Sequence, residues 1–392
     1  MMPSTDIGLA GSADLAPGAG HQFISQLTPL RDVVAAFAAL APVAPRALAI
    51  ADAVASAPAA DLSVAALPSR PLAWRDGYAV RAEETQDAGG YAPARLSALP
   101  LRVAVGDPMP ASTDAVAPLD AVRIDPAGAE ALAAVTAGEG VAAAGADWPG
   151  GVLRRAGERL RAGDVALLAA AGLSQVAVRR PRFLFAAAKR DALAGSIAGA
   201  IAALLARDLT AHGAAATIAA PGDLAAALDA ANATGALDAD AVVTLGATGA
   251  GDGDDAILTM RRRGRIVAHG IALSPGESAA FGLLDQCPVL MLPGRIDAAL
   301  AAWLTLGRPL AALLGGVCAE DPTTSAVLAR KVTSTIGISD VVPVSLAAGK
   351  AEPLAARDLP LTVLSRADGW ILVPPQSEGY PAGTTVTVNA WL

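Results

Sequence analysis

Between Phe183 and Thr244 short apolar runs alternate with helix-length stretches, and this alternation restricts the fold more than any other feature of the sequence. Phe183 to Ala187, Ala215 to Ala219 and Ala241 to Thr244 read as strands, and Ile197 to His212 and Leu224 to Asn232 read as the helices between them. Strands joined through helices at this spacing lie parallel in one sheet covered by those helices. Ile266 to Leu273, Val289 to Leu292 and a helix from Asp297 to Leu314 complete the unit. Its third strand runs into a loop holding Gly246, Gly249, Gly251 and Gly253 together with Asp252, Asp254 and Asp255. Glycine permits positive φ and lets backbone amides approach a ligand that a Cβ would keep away. Open α/β sheets hold ligands at the carboxyl ends of their strands, where this loop lies. Two carboxylates about 4 Å apart repel by roughly 4 kcal/mol at an effective dielectric of about 20, so a cation or deep hydration is expected with them. The alternative is a solvated Gly/Asp turn, which is ordinary turn chemistry.

The formal charge of −8 argues against nucleic acid or an anionic membrane as the main partner, because both are bound through positive faces. The longest uncharged apolar stretch, Ala192 to Ala206, is shorter than the roughly 20 residues that span a bilayer, so no transmembrane segment is expected. Residues 1–24 lack a basic region and an apolar core, and their Gly, Pro, Ser and Asp content reads as a disordered leader. Cys287 and Cys318 are too few for a disulfide framework, and with His21, His212 and His269 they show no zinc spacing. Two basic clusters stand out, Arg261 to Arg265 and Arg179 to Arg182 with Lys189 and Arg190. Each reads either as a solvated face or as part of a site for a small anion.

Ahead of the α/β unit, Leu27 to Ala55 carries a helical pattern that Pro42 and Pro45 break into two short helices, with Thr28 as a candidate N-cap. From Leu62 to Val141 the pattern changes to short alternating runs such as Leu101 to Val105 and Ala121 to Ile124, separated by turns, which predicts a β-rich domain. A turn, a helix and a strand follow between Gly145 and Val178. The tail, Val342 to Leu392, returns to strands with turns at Ala367 to Gly369 and Pro381 to Gly383, as in a small closed β unit.

Several separated segments resemble, in order and spacing, the molybdopterin molybdenumtransferases of the MoeA type, which include the C-terminal part of gephyrin. They are Asp76 to Val80, Val105 to Pro110, Gly145 to Asp147, Thr244 to Asp255, and His269 to Gly276 with Leu292 to Gly294. The resemblance runs from Leu27 to Leu392. It implies a multidomain α/β protein with a helical linker domain (25–60 and 142–178) into which a β-rich domain (61–141) is inserted. An α/β/α molybdopterin-binding domain with a mostly parallel sheet (179–319) follows, and a small C-terminal β-barrel (320–392) closes the chain. It further implies a cytoplasmic homodimer whose cleft lies between the α/β domain of one subunit and the inserted domain of the other. Such a protein takes adenylylated molybdopterin and molybdate, uses a divalent cation such as Mg²⁺, and releases AMP and molybdenum cofactor for a recipient molybdoenzyme.

Carried over position by position, the resemblance makes Asp76, Asp147 and Asp254 candidate catalytic residues and Asp252 with Asp254 candidate metal ligands. Carboxylates repel phosphate and molybdate, so their task would be to hold Mg²⁺ against the phosphates and to hydrogen-bond the pterin edge. Gly246, Gly249 and Gly251 would offer backbone amides to the anion. Ser274, Pro275, Gly276, Pro293, Gly294 and Arg295 would shape the pterin pocket. The chain departs from the family at Val105, where a Thr is expected, and at Ala192, where an acidic residue is expected. Glu277 stands for the Lys of a Pro-Gly-Lys-Pro, Ser278 for its second Pro, and Arg295-Ile296 for an Asn-Pro. The alternative to a transferase is therefore a non-catalytic carrier of molybdopterin or finished cofactor, or a scaffold with a vestigial pocket.

Overall fold

The computed structural model describes residues 22–187, 197–219, 224–225, 228, 239–251, 254–318, 322–355 and 359–392. The sheet that positions the site is six-stranded, in the order Ala215–Ile218, Arg182–Ala187, Ala241–Leu245, Cys287–Leu292, Ala280–Leu284 and Arg265–His269. The first four strands are parallel, Ala280–Leu284 runs against them, and Arg265–His269 pairs antiparallel with Ala280–Leu284 and so points the same way as the first four. From Arg182–Ala187 the chain goes first to the Ala215–Ile218 side and then to the Ala241–Leu245 side. That reversal opens a crevice beyond the carboxyl end of Ala241–Leu245.

Both faces of this sheet are covered. On one, Phe183, Phe185, Val243 and Phe281 pack with Trp303, Leu205 and the N-terminal Val33 and Phe37. On the other, Val242, Val289 and Met291 pack with Leu224, Leu228, Ile257 and Met260. Full burial of side chains this large contributes about 2–3 kcal/mol each. The strand Ala280–Leu284 was not foreseen. Of the helix expected from Leu224 to Asn232, only Leu224, Ala225 and Leu228 lie among the described residues.

The helix expected from Asp297 to Leu314 is three stretches, Ile296–Ala302, a π-turn at Trp303–Gly307, and Arg308–Leu314. The wide turn precedes Pro309, which has no N–H to give and would crowd a regular preceding turn. This run is apolar and long enough to cross a bilayer, but most of it is buried inside the protein, as a core helix.

Two expectations are corrected in the flanking parts. The second of the two helices expected before Ala55 is a strand, Arg46–Ala49, paired antiparallel with Gln175–Arg179. The residues after Pro45 pair with Gln175–Arg179 instead, and the backbone hydrogen bonds and packing of that pairing override the helical pattern. The stretch from Ile266 to Leu273 divides at Gly270, whose φ of +88° turns the chain out of the six-stranded sheet. Its second half, Ile271–Ser274, lies between Thr28–Pro29 and Ser339–Ala347, parallel to both.

The β-rich part hangs on two pairings, Leu62–Val64 with Gly151–Arg154 and Leu72–Ala73 with Val141–Ala142. At the far end five strands close a barrel, in the order Ser339–Ala347, Lys350–Pro353, Thr323–Leu328, Thr385–Ala390, Gly369–Val373 and back to the first. The arginines of the Arg179 to Arg182 cluster are engaged within the fold, Arg179 with the Val43 carbonyl, Arg180 with the Asp52 carbonyl and Arg182 with Asp240.

Candidate functional site

Three loops meet beyond the carboxyl ends of Ala241–Leu245, Ile271–Ser274 and Cys287–Leu292. They enclose a cleft of about 610 Å³ lined by Gly246, Thr248, Gly249 and Asp254 from the first, Pro275, Glu277 and Ser278 from the second, and Pro293, Gly294 and Arg295 from the third. Leu245 and Leu292 are register partners, so their loops leave the sheet side by side. A Cβ on Gly294 would lie 3.4 Å from the Cα of Gly246, whose own φ is +89°. The positive φ is what requires glycine at 246, since a side chain there would be strained whatever the space.

The glycine loop is held through its carbonyls. The Ala247 carbonyl accepts from Gln22 Nε2 at 2.7 Å, that of Gly249 from the same nitrogen at 2.6 Å, and that of Thr248 from His269 Nε2 at 3.0 Å. A carbonyl only accepts, so Nε2 of His269 carries the proton. Burial holds the imidazole below its ordinary range; the bond to Thr248 pulls upward, and the charge of Arg261 pushes down again. The Thr248 and Ser278 hydroxyls meet at 3.1 Å and tie the first loop to the second. In a planar trans peptide the N–H points opposite to the preceding carbonyl. The amides of Thr248, Gly249 and Ala250 therefore face away from the side chains that hold the loop, and among the described residues they donate to no protein acceptor.

The charges in the cleft do not form a cationic pocket. Arg295 donates to Asp297 at 3.1 and 2.5 Å. Burial pushes the Asp297 carboxyl up, but Arg295 and the amides of Ala298 and Leu359 outweigh it and hold the group below the usual carboxylate range. Glu277 accepts from the Gly276 amide at 3.1 Å, and Asp254 from the Gly251 amide at 3.1 Å. A neighbouring cavity of about 350 Å³ shares Pro275, Glu277 and Arg295 and adds Ser274 with Thr335, Ile338 and the buried Asp340 of the barrel part.

Of the residues singled out in the sequence, Gly246, Gly249, Asp254, Pro275, Pro293, Gly294 and Arg295 thus line one cleft. Ser274 faces the adjoining cavity, while Gly251 and Gly276 sit beside the cleft and donate to its acidic residues. Asp252 and Ala192 lie outside the described residues. Asp76 and Asp147 do not line this cleft. Asp76 precedes the strand Gly77–Val80 and accepts from the Val105 amide at 2.9 Å; the Asp147 amide donates to the Leu67 carbonyl at 3.0 Å. Among the described residues no three His, Cys, Asp or Glu side chains gather as a metal set.

Sequence reasoning missed Gln22 and Ile24. The leader expected to reach residue 24 is ordered at its end, because Gln22 is only 3% exposed and Ile24 lines the cleft. Nothing in a Gly/Pro/Ser-rich stretch marks one glutamine as buried. His269 lay inside a quoted motif, but its role depends on meeting a carbonyl 21 residues away in sequence.

Comparison with known proteins bears on what such a cleft holds. Residues 28–172 match the model described as the MoeA N-terminal region (domain I and II), residues 187–312 the "Probable molybdopterin binding domain", and residues 325–391 the MoeA C-terminal region (domain IV). A molybdopterin biosynthesis protein of Methanocaldococcus jannaschii is 29% identical over 151 residues, 38% of this chain and 36% of that relative. The crystal structure of a molybdopterin biosynthesis MoeA protein from Pyrococcus horikoshii has a TM-score of 0.71 at 24% identity, covering 93% of this chain and 99% of that one. A molybdenum cofactor biosynthesis protein from Pyrococcus furiosus has a TM-score of 0.56 at 17% identity, with 93% and 100% covered. At these identities the solved structures speak for the fold, and the three matched regions, in order along the chain, speak for the family. The chain is a member of the MoeA-type molybdopterin biosynthesis family, with a molybdopterin-binding domain at its centre and a place in molybdenum cofactor biosynthesis.

Proposed function

We propose that the cleft beyond Leu245 binds adenylylated molybdopterin and that the protein exchanges its AMP for molybdate to give molybdenum cofactor. The observation that carries this reading is the loop whose carbonyls are held inward while the amides of Thr248, Gly249 and Ala250 are left to an anionic ligand. A phosphate bound by oriented amides needs no lysine, which agrees with a cleft whose arginine is already paired. Pro275, Glu277 and Arg295 also line the adjoining cavity, which puts a second compartment beside the first.

Mg²⁺ characteristically takes one or two carboxylates and completes its shell with phosphates and water, so Asp254 on the rim fits the ion without a full protein cage. Asp254, joined by Asp252, would hold it, and when bound it would neutralise phosphate charge. Asp76 and Asp147 would act from a second copy of the chain, since neither reaches the cleft of its own. The protein is on this reading a homodimer.

One observation favours a carrier instead. Where the family has a Thr, Val105 presents an apolar side chain that is 65% exposed, and its amide is what Asp76 holds. A group missing from the reacting centre commonly costs about 10²–10⁴ in rate. Titration with molybdopterin in a calorimeter, followed by assay of AMP release from the adenylate with molybdate and Mg²⁺, separates the two. Binding with release supports the transferase, and binding without release supports the carrier. Absence of binding defeats both. If release is slow, Val105→Thr with Ala192→Glu should raise it tenfold or more.

A further inference from the structure

We propose that Gln22 is a positioning residue for the ligand site, and that Ile24, two residues on, forms part of one wall of it. This rests on the reading of the cleft as a molybdopterin site.

Gln22 is 3% exposed and uses both ends of its amide. Its nitrogen donates to the carbonyls of Ala247 and Gly249 at 2.7 and 2.6 Å, and its oxygen accepts from the Ile257 amide at 3.0 Å. Ile257 opens the helix Ala256–Arg261, where amides have no partner within the helix. One side chain thus fixes both ends of the loop that contains Asp254. No other residue type does this as well. A glutamate cannot donate to two carbonyls, and an apolar side chain would strip the Gly249 carbonyl and the Ile257 amide of this partner and leave the Ala247 carbonyl with the Ala256 amide alone.

The following residues continue across the site. Ile24 lines the cleft, and a Cβ on Gly270 would run into Ile24 and the Gln26 carbonyl, so the segment lies directly on the turn after His269. Thr28 then donates to the Gly270 carbonyl at 2.9 Å and starts the short parallel pairing with Ile271–Ser274, the strand that leads to Pro275. The stretch from Gln22 to Pro29 therefore holds the first cleft loop directly and the strand that leads into the second. The carbonyls it holds are the ones whose orientation turns the loop amides toward the ligand.

The test uses the full chain with Gln22→Glu, Gln22→Met and, as a control in the same segment, Phe23→Ala, whose side chain is half exposed. Molybdopterin affinity is measured by calorimetry, and the amides of Ala256 and Ile257, which donate to the Ala247 carbonyl and to Gln22, are followed by hydrogen–deuterium exchange without ligand. The expected result is an affinity loss of roughly tenfold or more in both Gln22 variants, faster exchange confined to those amides, a thermal midpoint lowered by a few degrees, and no effect of Phe23→Ala. If wild type binds and the Gln22 variants bind within twofold of it, the positioning role is overturned even if exchange rises, because Gln22 then merely anchors the segment. If wild type does not bind molybdopterin, the reading of the cleft falls and this inference falls with it.

Discussion

The glycine loop and the surroundings of Asp76 are both acidic turns at strand ends, yet they are built in opposite ways. From Ala247 to Gly249 the chain is held by Gln22, His269 and Ser278, drawn from other parts of the sequence, and Ala247 and Thr248 are buried. Around Asp76 the carboxylate holds one amide, and Trp74, Leu101 and Val105 stand 63%, 63% and 65% exposed nearby. On the proposed function the first region is a preorganised binding surface within one chain. The second has the apolar exposure of a surface made to be covered, which agrees with a cleft completed by a second copy. Ligand affinity should therefore reside in the first region and turnover in the second.

The largest effect should come from Gly246→Val. A branched side chain at φ +89° costs about 1–3 kcal/mol of backbone strain and projects toward Gly294. Molybdopterin binding should fall by two orders of magnitude or more by calorimetry, with a lowered melting temperature. If binding survives, the close approach of the two loops does not shape the ligand site, and the contrast between the two regions dissolves.

How much of this was legible in the sequence follows from the range of each interaction. The strands at Phe183, Ala215 and Ala241, the helix at Ile197 and the loop after Thr244 are local patterns, and the segments from Gly246 to Arg295 sit in recognisable motifs. Arg46–Ala49 was misread because its partner is more than a hundred residues away and its own pattern is ambiguous. Ala280–Leu284 was missed because a short apolar run with a central glycine carries little period. Gln22 was invisible for the same reason as Arg46–Ala49: the groups that bury it lie 225 to 235 residues further on.

A smaller, pH-dependent effect sharpens the account of the loop. The folded-state pKa of His269 is depressed, so stability is full above the ordinary histidine range, where the ring is neutral in both states. As pH falls through about 6.5 the unfolded chain takes up a proton that the folded one refuses, and stability declines until the folded pKa is passed. Thermal melts between pH 8 and pH 5 should show this decline, and His269→Gln should flatten it. An unchanged slope in that variant would remove His269 as its source.

Cysteine chemistry gives a control that does not depend on ligand. Burial, aided by the charge of Asp240, pushes the Cys287 thiol up to about 11, whereas Cys318 is exposed. At pH 8 only about one Cys287 in a thousand is thiolate, so iodoacetamide should label Cys318 first, as peptide mapping would show. Equal labelling would mean that the sheet opens at Cys287–Leu292, which would undercut its rigidity as a platform.

The smallest effect concerns Thr244, whose buried hydroxyl has no hydrogen-bond partner among the described residues. Thr244→Val removes an unmet polar group at nearly constant volume and should leave stability unchanged or raise it by up to about 1 kcal/mol in urea unfolding. A loss of that size would reveal a bond to this hydroxyl.

The division of labour is tested most directly by titrating molybdopterin into three proteins side by side: wild type, Asp76→Ala and Gly246→Val. The account predicts that Asp76→Ala binds within a few-fold of wild type while Gly246→Val does not bind. If Asp76→Ala loses binding as completely as Gly246→Val, or if all three bind alike, the claim that one chain carries a self-sufficient ligand cleft is contradicted.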